Sequence, residues 1–169
     1  MKKTKRPGDI FAIPLPDGRY GFGLCFRASL CGIYQHIGAS QDDLPENRRF
    51  LFVTAINNAS LNSNDWPVVS QDPVGKNRGT QFPGQFIYDE QTDSYSIYDA
   101  ATGEDVPASK EQCFGLEEVA AWSATHVIQR LLSGGRHAWL GAADWVPYGV
   151  EYHEDGSFCR YNVDTGEAR

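Results

Sequence analysis

Pro7-Gly8-Asp9-Ile10-Phe11-Ala12-Ile13-Pro14-Leu15-Pro16-Asp17-Gly18-Arg19-Tyr20-Gly21-Phe22-Gly23 reads as two short apolar strands joined by a Pro-Asp-Gly turn. Asp-Gly is a strong hairpin signal, because a tight primed turn needs a positive φ that Gly adopts freely. The spacing predicts strands over Ile10–Leu15 and Tyr20–Phe26. Pro14 and Pro16 cannot donate to a ladder, so the first strand ends there or lies at an edge.

Further strands are expected at Ile33–Ile37, at Arg49–Ile56 and from Trp66 to Val69. Phe50-Leu51-Phe52-Val53 is a continuous apolar run, which suits a strand buried on both faces. Gln85–Tyr88, Tyr95–Tyr98 and Val106 read as a small meander, and Val150–Tyr152 with Phe158–Tyr161 as a hairpin around Asp155-Gly156. The one helix is expected over Leu116–Leu132, with apolar residues at Leu116, Val119, Ala120, Val127 and Leu131 and a Ser133-Gly134-Gly135 stop. The expected class is α+β: a strongly bent antiparallel sheet or small barrel with one long helix packed against it. With 169 residues the chain suits a single domain, residues 1–6 forming a flexible tail.

Net charge is −7, which argues against sequence-independent nucleic-acid binding and suits a cationic protein partner. The basic cluster Lys2, Lys3, Lys5 and Arg6 reads as a solvated tail. It runs into Pro7 and Gly8 without an apolar signal region, and no apolar run approaches the ~20 residues of a membrane span. A cytoplasmic location with reduced thiols at Cys25, Cys31, Cys113 and Cys159 is the expectation, with no membrane partner.

No motif marks a catalytic centre. Ser133-Gly134-Gly135-Arg136-His137 places its glycines after a helix, the reverse of a phosphate loop. Gly75-Lys76-Asn77-Arg78-Gly79 lacks the Walker spacing. His36, His126, His137 and His153 carry no metal-ligand spacing, and the cysteines show no zinc pattern. No catalytic residue, metal or cofactor is assigned. The candidate partner-binding residues are Asp42 and Asp43, as charge on a polar loop, and Trp66, Trp139 and Trp145, as aromatic anchors.

Gly8-Asp9-Ile10-Phe11-Ala12-Ile13-Pro14-Leu15, followed by Asp17-Gly18 and Tyr20-Gly21-Phe22-Gly23, resembles the opening signature of the immunity protein 26 family of bacterial polymorphic toxin systems. That family often places Arg directly after the last Gly, where this chain has Leu24 and Cys25. Phe52-Val53-Thr54-Ala55 through Leu61 to Trp66-Pro67-Val68-Val69 is similar to the family's middle strand, loop and Trp-Pro strand. The resemblance covers roughly residues 6 to 75. It implies a non-enzymatic protein that binds and neutralises a cognate toxin inside the producing bacterium. The alternative is a small cytoplasmic hydrolase using a Cys or His in a cleft near the Leu116–Leu132 helix.

Overall fold

The computed structural model describes residues 4–27, 29–135 and 148–168. In chain order the elements are β1 (Asp9–Pro14), β2 (Tyr20–Arg27), β3 (Leu30–Tyr34), β4 (Arg49–Ile56), α1 (Asn58–Leu61), β5 (Val68–Gln71), β6 (Gln85–Asp89), β7 (Ser94–Tyr98) and β8 (Asp105–Ala108). They continue with β9 (Glu117–Glu118), β10 (Ala121–Trp122), α2 (Ala124–Leu132), β11 (Tyr148–Tyr152) and β12 (Phe158–Asn162). The large sheet runs β12-β11-β4-β3-β2-β1-β5, with β10 parallel to β4. The small sheet runs β8-β7-β6-β9.

β1 and β2 pair from Ile10↔Leu24 to Pro14↔Tyr20, as the turn signal predicts. Gly18 takes φ +85°, and its N–H donates to the Leu15 carbonyl at 3.1 Å. A Cβ there would meet nothing within 4 Å, so a substitution costs backbone strain alone. Gly18→Val is expected to lower stability by about 1–2 kcal/mol, the left-handed penalty for a side chain. An unchanged midpoint in urea would contradict this.

Both faces of the central strands β1–β4 are buried, and side chains sort into two clusters. Phe11 and Ile13 join Ile33, Phe52, Trp66, Val127 and Leu131 on one face. Ile10 and Ala12 join Phe22, Leu24, Phe50 and Tyr152 on the other. Gly23 lies opposite Phe11, and a Cβ at Gly23 would overlap the Phe11 ring. The missing side chain lets that ring lie against the sheet, where Trp66 stacks on it at 5.5 Å between centroids and 10° between planes. Gly21 makes the same kind of room for Leu131 of α2: a Cβ would lie 2.6 Å from its Cδ1.

Two expectations are corrected. The sheets do not close into a barrel. The helix is nine residues long, Ala124–Leu132, and the fold is mostly β-sheet. Residues Leu116 to Ala120 carry helix-like apolar spacing, but their backbone is used otherwise. Glu117–Glu118 pair with Gln85–Phe86 of β6, and Ala121–Trp122 with Ala55–Ile56 of β4. Unfilled sheet edges offer that backbone its hydrogen bonds, which outweighs a weak helical propensity. The segment thereby connects the two sheets. Helix α2 starts where Ser123 caps it, its Oγ accepting from the His126 N–H at 3.4 Å. The Gly135 N–H, donating to the Arg130 carbonyl at 2.7 Å, closes it as the Gly-Gly stop predicts.

Lys5 is not part of a solvated tail. It is 8% exposed, and its Nζ donates to the Leu61 carbonyl and sits 5.3 Å from the Phe11 ring centroid. Burial pushes its ammonium below the usual lysine range.

Candidate functional site

The Asp42–Asp43 loop hangs beside the opening hairpin, held by reciprocal backbone bonds between Tyr20 and Gly38 at 3.0 and 2.8 Å. Asp43 staples it: its Oδ2 accepts from the Ala39 N–H at 2.9 Å, and His36 Nε2 lies 3.4 Å from its Oδ1. The Asp42 side chain is exposed. Trp66 is 3% exposed and stacked in the core, so its sequence-level role as an anchor gives way to packing. Trp139 and Trp145 lie outside the described residues, as does His137.

The hydrolase alternative needs a Cys or His in a cleft near α2. Cys25 and Cys31 face each other across β2 and β3, their Sγ atoms 3.9 Å apart as free thiols, and both are buried. Burial pushes the Cys31 and Cys113 thiols up, away from the nucleophilic thiolate. His126 lies on α2 with its Nδ1 3.2 Å from the capping Ser123 Oγ and its ring edge-on to Trp122. A cleft between the sheets is lined by Phe52, Gln85, Glu117, Tyr148 and Arg160 and encloses about 10 Å³, the space of one water molecule. Among the described residues no three His, Cys, Asp or Glu side chains gather as metal ligands, and no helix is long and apolar enough to cross a membrane.

The small sheet stands apart electrostatically. Residues 85–118 hold nine of the 22 acidic residues and, in Lys110, one of the 15 basic residues, a formal charge of −8. The rest of the chain, with 13 acids and 14 bases, carries +1. Counting charge segment by segment would have exposed this, where the whole-chain total hides it. Crowding shows at Glu118, whose carboxyl is raised above its ordinary range by burial and then by Glu117 and Glu90.

A raised folded-state value means that Glu118 favours folding only in its protonated form. That contribution is present below the unfolded value of about 4.3 and is lost as pH rises through the folded one. Glu118→Gln is therefore expected to raise the thermal midpoint at pH 7, with the difference vanishing near pH 3, where both side chains are neutral. A lower midpoint at pH 7 would contradict this.

The same sheet exposes apolar surface. Side chains paired across its strands share a face: Phe86 with Ile97, Tyr88 with Tyr95, and Ile97 with Val106. Phe86 is buried, Tyr88 is 37% exposed and Val106 is 61% exposed. The Tyr88 and Tyr95 rings lie 4.7 Å apart at 31°. The Tyr88 hydroxyl donates to Asp93 Oδ1 at 2.9 Å, which fixes the ring and holds its ionisation above the usual range.

Comparison with known proteins places the core of this architecture. The profile of the immunity protein 26 family matches residues 6–92, from the segment leading into the opening hairpin to the turn after β6. No curated protein and no solved structure matches the chain. The match bears out the resemblance read from Gly8–Gly23 and from the Trp66-Pro67 strand, and extends it to the first strand of the small sheet. The chain belongs to the immunity protein 26 family.

Proposed function

We propose that this chain neutralises a cognate bacterial toxin by binding it through a protein–protein interface, without catalysing a reaction, in the cytoplasm of the producing cell. Membership of the immunity protein 26 family, over residues 6–92, carries this reading. Two physical features support it. The net charge of −7 suits a cationic partner, whose approach a complementary field accelerates. The Cys31 and Cys113 thiols are held above their ordinary ionisation range, which disfavours nucleophilic chemistry at neutral pH. The exposed Asp42 suits a rim contact, which affects association rate more than residence time.

The test is co-expression with the toxin encoded by the adjacent gene. Neutralisation predicts restored growth and recovery of both proteins in one complex. Failure of both, together with turnover of a small ester or amide in an activity screen, would favour the hydrolase.

A further inference from the structure

We propose that the face of the small sheet bearing Tyr88, Tyr95, Ile97 and Val106 is the docking surface for the toxin, and that the toxin meets it with a cationic face. This rests on the proposed function and names the surface that performs it.

The central strands β1–β4 of the large sheet have both faces buried, whereas this face of the small sheet leaves Tyr88 and Val106 in solvent. The other exposed large hydrophobics include Val68 and Leu132, which lie on β5 and α2, well away in the chain from one another. Tyr88, Tyr95, Ile97 and Val106 instead sit in direct cross-strand register on adjoining strands, which makes one continuous patch. Protein interfaces have this composition: an aromatic and aliphatic centre within a charged, solvated rim. Acidic residues at the strand ends and turns supply the rim, among them Asp89, Asp93, Glu104 and Asp105. The Tyr88 ring is already oriented by its bond to Asp93, so little freedom is lost on docking.

Charge selects the occupant. A segment at −8 repels a second copy of itself, nucleic acid and an anionic membrane alike. A basic protein face relieves that repulsion while covering the tyrosines. Among the described residues β8 pairs only with β7, so its outer side is open to the same partner. Most of this sheet lies beyond residue 92, where the family match ends. A recognition surface outside the shared scaffold would let related chains answer different toxins.

The experiment measures binding of the full chain to the toxin encoded beside it by surface plasmon resonance, at low and physiological salt, alongside growth rescue. Tyr88→Ala and Val106→Arg are each expected to weaken affinity by about 30-fold or more, the loss at a central anchor, with growth rescue reduced. Glu104→Gln combined with Asp105→Asn is expected to slow association several-fold at low salt, with the difference shrinking as salt rises. All four positions are exposed, and an unchanged thermal midpoint verifies folding. Wild-type affinity in these variants, with binding lost in Asp42→Asn, would overturn the surface while leaving toxin binding intact. A wild-type chain that neither binds nor rescues would remove the proposed function and this surface with it.

Discussion

Arg130→Ala is expected to destabilise the protein by about 3–5 kcal/mol, the usual loss when one partner of a buried ion pair is removed. Arg130 is 3% exposed. Its guanidinium grips Glu117 of β9 with two bonds, at 2.9 and 2.7 Å, and reaches the Gly135 carbonyl at 3.1 Å. It also lies 3.6 Å from the centroid of the Phe52 ring and 4.8 Å from that of Trp122. One side chain therefore joins α2, β9, β4 and the loop after the helix. Its removal leaves a half-buried carboxylate and a backbone oxygen unpartnered and opens space between two rings. Arg130→Lys should not rescue it, because a point charge cannot make the two-pronged contact and stack as well. Pairing Arg130→Met with Glu117→Gln should recover part of the loss, since neither residue then strands a charge. Urea denaturation measures all of these. A loss under about 1 kcal/mol in Arg130→Ala would contradict the network's role.

The second large effect belongs to Trp66. Trp66→Ala is expected to cost about 3–5 kcal/mol, the range for deleting a buried aromatic. The indole covers the outer side of Phe11, whose inner side rests on Gly23, and Lys5 approaches the same ring. Removing Trp66 uncovers one side of the Phe11 ring, which packs on the β1–β2 hairpin. Trp66→Phe should lose much less, because a smaller ring can still stack. A folded Trp66→Ala protein of near-native stability that has lost toxin binding would instead return Trp66 to the role of partner anchor.

Much of this fold is legible in the sequence. The Asp17-Gly18 turn fixed the first hairpin because its backbone requirement is local. Phe50-Leu51-Phe52-Val53 announces a strand buried on both faces, and Leu51 and Phe52 indeed join one buried cluster while Phe50 and Val53 join the other. The spacing puts the helix start too early because Leu116, Val119 and Ala120 mimic helical spacing by chance. Ser123, a good cap immediately before Ala124, is the better signal. Trp66 could not be placed from spacing, since its partner Phe11 is distant in sequence and only the sheet brings the rings together. Lys5 reads as tail from its position near a terminus, while its placement depends on a carbonyl at the end of α1. The candidate surface was hidden for a different reason. Its acidity was averaged against a nearly neutral remainder, and its tyrosines read as ordinary strand residues until the cross-strand register put them on one face.

The central claim is stoichiometric, non-catalytic neutralisation, and titration of purified toxin with this chain tests it most directly. Residual toxin activity should fall linearly with added protein and reach zero at a fixed molar ratio, with the toxin recovered chemically unchanged after dissociation. Loss of toxin activity at a small fraction of that ratio, growing with time and leaving altered toxin, would show an enzyme at work and contradict the account.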